Sequence, residues 1–199
     1  MPYRATERTR AQQAEKRARI LDAALELLSA GGYAAVQVAA VARHANVGTG
    51  TVYRYFPSKG DLFAEVFRQI CDVEVALMRS GAAQGETFRE RLLTVLEVFS
   101  TRALQSGRIA QALIAEPVDP AVDRERLRFR RAYIEIIACI IRGAQDEGTA
   151  LQLEPELMAA FLVGGVAQAL TSSRSTSPLE EIVDSIIRTA ECAVFGGPV

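Results

Sequence analysis

The chain has 199 residues, 49% hydrophobic and 24% charged, which is the composition of a globular protein and excludes a wholly disordered one. The formal net charge of −1 hides an asymmetry: residues 1–60 hold nine Lys/Arg against four acids, leaving 14 against 20 for the rest. A basic N-terminus on an acidic body points to a polyanion partner.

Apolar residues recur at helical spacing along the whole chain and nowhere alternate as a strand requires, so the sequence predicts an all-α fold. Ile20, Leu21, Ala24, Leu25 and Leu28 form one face of a first helix, ended by Gly31-Gly32. Two short helices follow, Val38 to Ala45 and Thr49 to Phe56, the second stopped by Pro57. Ser58 and Asp61 have capping-box spacing and open a longer helix with Leu62, Phe63, Val66, Phe67, Ile70, Val73 and Leu77 on one side. Thr87 with Glu90 caps the next, which runs to Gly107, and a short one from Arg108 ends near Pro117. Asp119-Pro120 places a capping carboxylate before a helix reaching Glu147. Pro155 starts another through Leu170, the polar run Ser172–Ser177 reads as a loop, and Ser177-Pro178 begins a last helix to Phe195. The expectation is about nine helices.

The two short helices joined by Asn46-Val47-Gly48 have the arrangement of a helix-turn-helix. Val41, Ala42, Val47 and Val52 can pack inside, and Asn46 tolerates a left-handed turn. Thr49, Gly50, Thr51, Tyr53, Arg54 and Tyr55 then face outward, offering hydroxyls, open backbone and a guanidinium for phosphates and base edges. By itself this pattern also fits a merely packed helix pair.

The stretch VQVAAVARHANVGTGTVYRYFPSKGDLFAEV closely resembles the N-terminal domain of the tetracycline-repressor (TetR) family of transcription regulators, over residues 16–70 with the preceding helix. The matching positions include Ala42, Ala45, Val47, Gly50, Thr51, Tyr53, Phe56, Pro57, Lys59, Asp61 and Leu62; the remainder agrees only in helix number and length. The resemblance implies a flexible basic arm over 1–15, a DNA-binding domain over 16–60, and an effector-binding and dimerising domain over 61–199. It further implies base contacts from Thr49, Gly50, Thr51 and Arg54, phosphate contacts from Tyr53, Tyr55 and Lys59, and a role for Gln37 at the start of the first motif helix. Gln37, Asn46 and Gly48 depart from the usual Thr or Ser, Gly and Ser, which puts the Gln37 contact in doubt. Ala39 and Ala40 offer only methyl groups, so polar readout falls to the second motif helix.

In the C-terminal half the resemblance implies a cavity, for which Phe67, Cys71, Phe99, Leu113, Phe129, Tyr133 and Phe161 are candidate walls and Tyr133, Gln111 and Gln168 candidate polar anchors. Few charges accompany them, so the implied effector is apolar or amphipathic. Core packing explains each residue equally well. Ala159, Gly164, Gly165, Ala167, Ile182, Ile186 and Ala190 on the last two helices suit close packing, either within one chain or, as the resemblance implies, in a homodimer that sets two recognition helices one DNA turn apart.

Other motifs are weaker. His44 is the single histidine and has no evident metal or triad partners, and no Glu-x-x-His occurs. The arginines at 124, 126, 128, 130 and 131 cover several helix faces beside Asp123 and Glu125 and read as a solvated, salt-bridged surface. Three cysteines, odd in number and far apart, argue against a disulfide framework. The first ten residues lack a signal peptide's apolar segment, and the longest apolar run, Leu157–Ala167, is 11 residues, where a membrane span needs about 20. The expectation is a cytoplasmic, ligand-responsive repressor binding double-stranded operator DNA, without metal, cofactor or catalysis. An enzyme or carrier built on a helical pocket, and a DNA-binding module lacking an effector, remain as alternatives.

Overall fold

The computed structural model describes residues 7–172 and 178–196, and within them the chain forms nine α-helices and no strand. They are α1 (Glu7–Ala35), α2 (Val38–His44), α3 (Thr49–Tyr55), α4 (Lys59–Ala82), α5 (Phe88–Ser106), α6 (Arg108–Ile114), α7 (Pro120–Asp146), α8 (Pro155–Ser172) and α9 (Leu179–Phe195). Helix α1 begins at Glu7, so residues 7–15 are its first turns and not the expected arm; residues 1–6 lie outside the described residues. Most of the expected loop 172–177 and the Ser177 start signal also lie outside them.

The local signals act as their chemistry requires. Gly32 takes φ 69° and interrupts α1, a backbone conformation that only glycine reaches at no steric cost. Asn46 takes φ 52° in the α2–α3 turn. Ser58 Oγ accepts from the Asp61 N–H at 3.0 Å and donates to the Asp61 carboxylate at 2.7 Å, a hydroxyl-to-carboxylate closure in place of the reciprocal backbone bond. Thr87 and Glu90 make the full capping box. Asp119 precedes Pro120 as expected, but its carboxylate does not cap α7; it accepts a short hydrogen bond from the Tyr33 hydroxyl.

Ile20, Leu28, Val36, Val41, Val52, Leu62 and Phe63 are fully buried and weld α1–α3 to the start of α4; each large apolar side chain so buried contributes about 1.5–3 kcal/mol. From there α4 packs along α7, α7 along α8, and α5 along α9. Gly143 makes the α5–α7 approach possible, because a Cβ there would overlap the Phe88 ring. Two expected core positions point out instead: Val73, 53% exposed, and Leu25. Neither lies on the narrow stripe that α4 and α1 turn toward their neighbours.

Candidate nucleic-acid interface and ligand cavity

Helix α3 is seven residues long and fully buries only Val52, which leaves its outer face open. Thr49, Gly50, Tyr53 and Arg54 are exposed and Thr51 is half-buried. No atom stands within 4 Å of where a Gly50 Cβ would be, so its backbone lies open on the outer face. Gln37 is exposed and spends its amide on the Ala34 carbonyl at 2.9 Å, leaving α2 without a side-chain cap. His44 is on the surface of α2.

Two expected phosphate contacts lie differently. Tyr55 turns inward: its ring carries the Arg54 guanidinium 5.6 Å from its centroid, while its hydroxyl is buried with no hydrogen-bond partner among the described residues. Lys59 folds back over Tyr33, its ammonium 3.9 Å from the ring centroid, beside Asp119. Burial lowers the Lys59 pKa and the Asp119 charge opposes that fall. Tyr55 is therefore corrected from contact to packing residue, and Lys59 anchors α4 to α1.

Behind this face, α4, α5, α6, α7 and α8 enclose a small cavity of about 100 Å³. Phe67, Cys71, Phe99, Leu113, Phe129 and Tyr133, six of the seven side chains that the family resemblance implies as walls, line it. Phe67 faces Phe129 with centroids 5.8 Å apart, and Phe99 faces Tyr133 at 5.4 Å. Burial pushes the Cys71 thiol up to about 12, against the opposing pull of the neighbouring Tyr133 hydroxyl, and burial likewise raises the Tyr133 phenol well above its usual range.

Three expected cavity residues are elsewhere. Phe161 is 75% exposed on α8, Gln111 is exposed on α6, and Gln168 is exposed and bonds Ser172. Besides Tyr133 and Cys71, the polar residues that do line the cavity are Glu74, Arg102, Ser106, Arg126 and Arg130. Arg102 is neutralised by Glu74 through bonds of 2.7–3.1 Å. Sequence reasoning missed these arginines, although Arg126, Phe129, Arg130 and Tyr133 share a helical stripe that the aromatic pair already marked.

The α8–α9 candidates also separate. Gly164 and Gly165 are exposed with open space beyond them, and Phe161, Gly165, Ile182 and Ile186 border a shallow open groove between α8 and α9. Ala159 and Ala190 are buried within the protomer, and Ala167 lines the cavity, so these three are corrected as outer-face residues.

Residues 20–66 match the family described as bacterial regulatory proteins, tetR family. An uncharacterised HTH-type transcriptional regulator of Mycobacterium tuberculosis is 32% identical over 165 residues, 81% of this chain and 75% of that protein. The chain belongs to the TetR family. The HTH-type transcriptional repressor KstR of Rhodococcus jostii is 45% identical over 93 residues, 47% of this chain and 42% of KstR. The chain thus spans less than half the length of the curated KstR repressors it matches. The crystal structure of the transcriptional regulator FadR from Bacillus subtilis in complex with stearoyl-CoA superposes with a TM-score of 0.75 at 22% identity, covering 90% of this chain and 98% of FadR. That second likeness is one of fold. Among the described residues no helix is long and apolar enough to cross a membrane.

Proposed function

We propose that this TetR-family chain is a ligand-responsive repressor, a cytoplasmic homodimer that binds a roughly palindromic operator through α3 and is released by a small apolar or amphipathic effector. The observation that carries this reading is α4, which follows α3 after three connecting residues and continues into the cavity wall with Phe67, Ile70 and Cys71. One rigid helix thereby connects the face that suits DNA with the space that suits a ligand. On this reading residues 16–60 act as the DNA-binding unit and 61–199 as the effector-binding and dimerising unit.

The effector's character is supported by the aromatic walls and by the stearoyl-CoA that FadR holds. The cavity, about 100 Å³, is smaller than typical ligand pockets of roughly 300–1,000 Å³. An effector binds by parting the walls, and its preference for the parted form is the differential affinity that a population shift requires. The dimer is supported by the exposed α8–α9 groove, whose apolar rim one protomer leaves uncovered.

Selection of binding sites from genomic DNA, followed by titration across salt, tests the proposal. Expected is a two-fold symmetric site with half-sites about 34–36 Å apart and affinity that falls steeply with salt. Absence of any salt-sensitive DNA binding would sink it.

A further inference from the structure

Resting on the cavity reading above, we propose that Arg126 is an anion sensor. It takes the carboxylate or phosphate end of an amphipathic effector whose tail enters between Phe99, Phe129 and Tyr133, and gives up the carbonyls that hold the α6–α7 turn against the DNA-binding end.

Arg126 has two surroundings at once. Its Nε donates to the Leu113 carbonyl at 2.8 Å, and Nη2 donates to Ala112 and Glu116 carbonyls at 3.2 and 2.9 Å. The guanidinium thus caps the C-terminal end of α6, whose last carbonyls have no partner within the helix. The same side chain stands in the cavity wall. Its one ion-pair partner among the described residues, Asp123 at 3.0 Å, is itself largely exposed. Arg130 follows one turn later in the same wall, with no carboxylate within ion-pair distance among the described residues. Like charges at this spacing repel, whereas the third cavity arginine is matched by Glu74. Burial of Arg126 disfavours its charge, and the nearness of Arg130 adds to that, while the Asp123 and Glu116 carboxylates oppose both. An anion entering this cavity relieves both costs. Guanidinium–anion hydrogen bonds are shorter and roughly twice as strong as those to neutral carbonyls, so the anion outcompetes the α6 cap.

What the cap holds in place is the turn 115–119. The Glu116 carboxylate accepts from the Tyr33 N–H at 2.8 Å and lies where a Cβ on Gly32 would be 2.7 Å away. The Asp119 carboxylate accepts from the Tyr33 hydroxyl, and its Cβ stands 3.0 Å from where a Gly60 Cβ would lie. One turn therefore grips the end of α1 and the start of α4, the two elements that flank the helix-turn-helix in the chain. Uncapping α6 loosens that grip.

The test uses the full chain, its selected operator, and three probes of one tail length: octanoate, octyl phosphate and 1-octanol. Binding is measured by calorimetry and operator release by fluorescence anisotropy. Expected is that at least one anion acts at about tenfold lower concentration than the alcohol, and which anion does so distinguishes carboxylate from phosphate ligands. Arg126→Gln should erase that preference and weaken operator binding without any probe. Arg130→Gln should narrow the preference, which keeps the test decisive if Arg126→Gln fails to fold. Equal action of anions and alcohol on the wild type overturns the sensor and leaves the apolar cavity reading standing. A retained preference in Arg126→Gln also overturns the sensor alone, while failure of all three probes to bind overturns both readings.

Discussion

Cys71 shows how one residue's setting becomes a measurable property. Its thiol keeps its proton up to about 12 in the folded chain because it is buried, whereas an unfolded thiol loses it near 8.5. Between those values the folded state holds one more proton than the unfolded state. The stabilisation is complete below about pH 8.5 and falls by about 1.4 kcal/mol per pH unit above it. Denaturant midpoints from pH 8 to 10.5 should therefore fall less steeply in Cys71→Ala than in wild type, and parallel slopes would refute the burial account. Arg54, by contrast, is exposed on α3. Arg54→Ala should reduce the salt slope of operator binding by about one and alter base preference, as read by repeating the selection with the variant. At this scale the sequence distinguished residue types but not directions. Phe161 and Phe129 are equally apolar, yet only Phe129 faces the cavity, because the helix face each occupies is set by neighbours far away in the chain.

Between elements, glycines set the distances. Gly143 lets α7 pass against the Phe88 ring of α5, so Gly143→Ala should cost about 1–3 kcal/mol by overpacking, measured as a lowered denaturation midpoint. Gly50 is the opposite case. A methyl group there meets nothing in the protomer, and alanine favours helix over glycine by about 0.8–1 kcal/mol. Gly50→Ala should raise the melting temperature while weakening operator binding, since the methyl projects from the face that suits DNA; a variant that binds as well as wild type would remove α3's outer face from the interface. The helices themselves were legible because their start and stop signals are local: Thr87 with Glu90, Pro120 and Gly148 act within one turn. Asp119 was misread for the converse reason. Its carboxylate had a local role available and took a distant one, 86 residues away at Tyr33.

At the scale of the whole molecule, the α8–α9 face carries the prediction about assembly. Phe161 and Gly165 stand at the α8–α9 groove with nothing of their own protomer covering them. Gly165→Leu finds open space within one protomer, so it should leave the fold of each chain intact and act only across a dimer contact. Phe161→Glu places a charge on the same face. Sedimentation should show wild-type dimer at micromolar concentration and monomer for both variants, each with unchanged circular dichroism; dimeric variants would move the interface elsewhere. Loss of the dimer should also lower operator affinity, because two half-sites would then be bound separately.

From the sequence alone came the all-α architecture and the helix-turn-helix, carried by periodicity and by capping residues within a turn or two of each other; the aromatic walls of a cavity were implied only by the family resemblance, because periodicity cannot tell a cavity wall from packed core. Tertiary structure alone decided that Tyr55 and Lys59 pack inward, that Gln111, Gln168 and Phe161 miss the cavity, and that Arg126 enters it. A guanidinium reads as a solvent group until the fold brings the uncapped carbonyls of α6 to it. Burial of a charged or polar side chain depends on partners supplied by other elements, and no local pattern in the chain encodes where those partners will be.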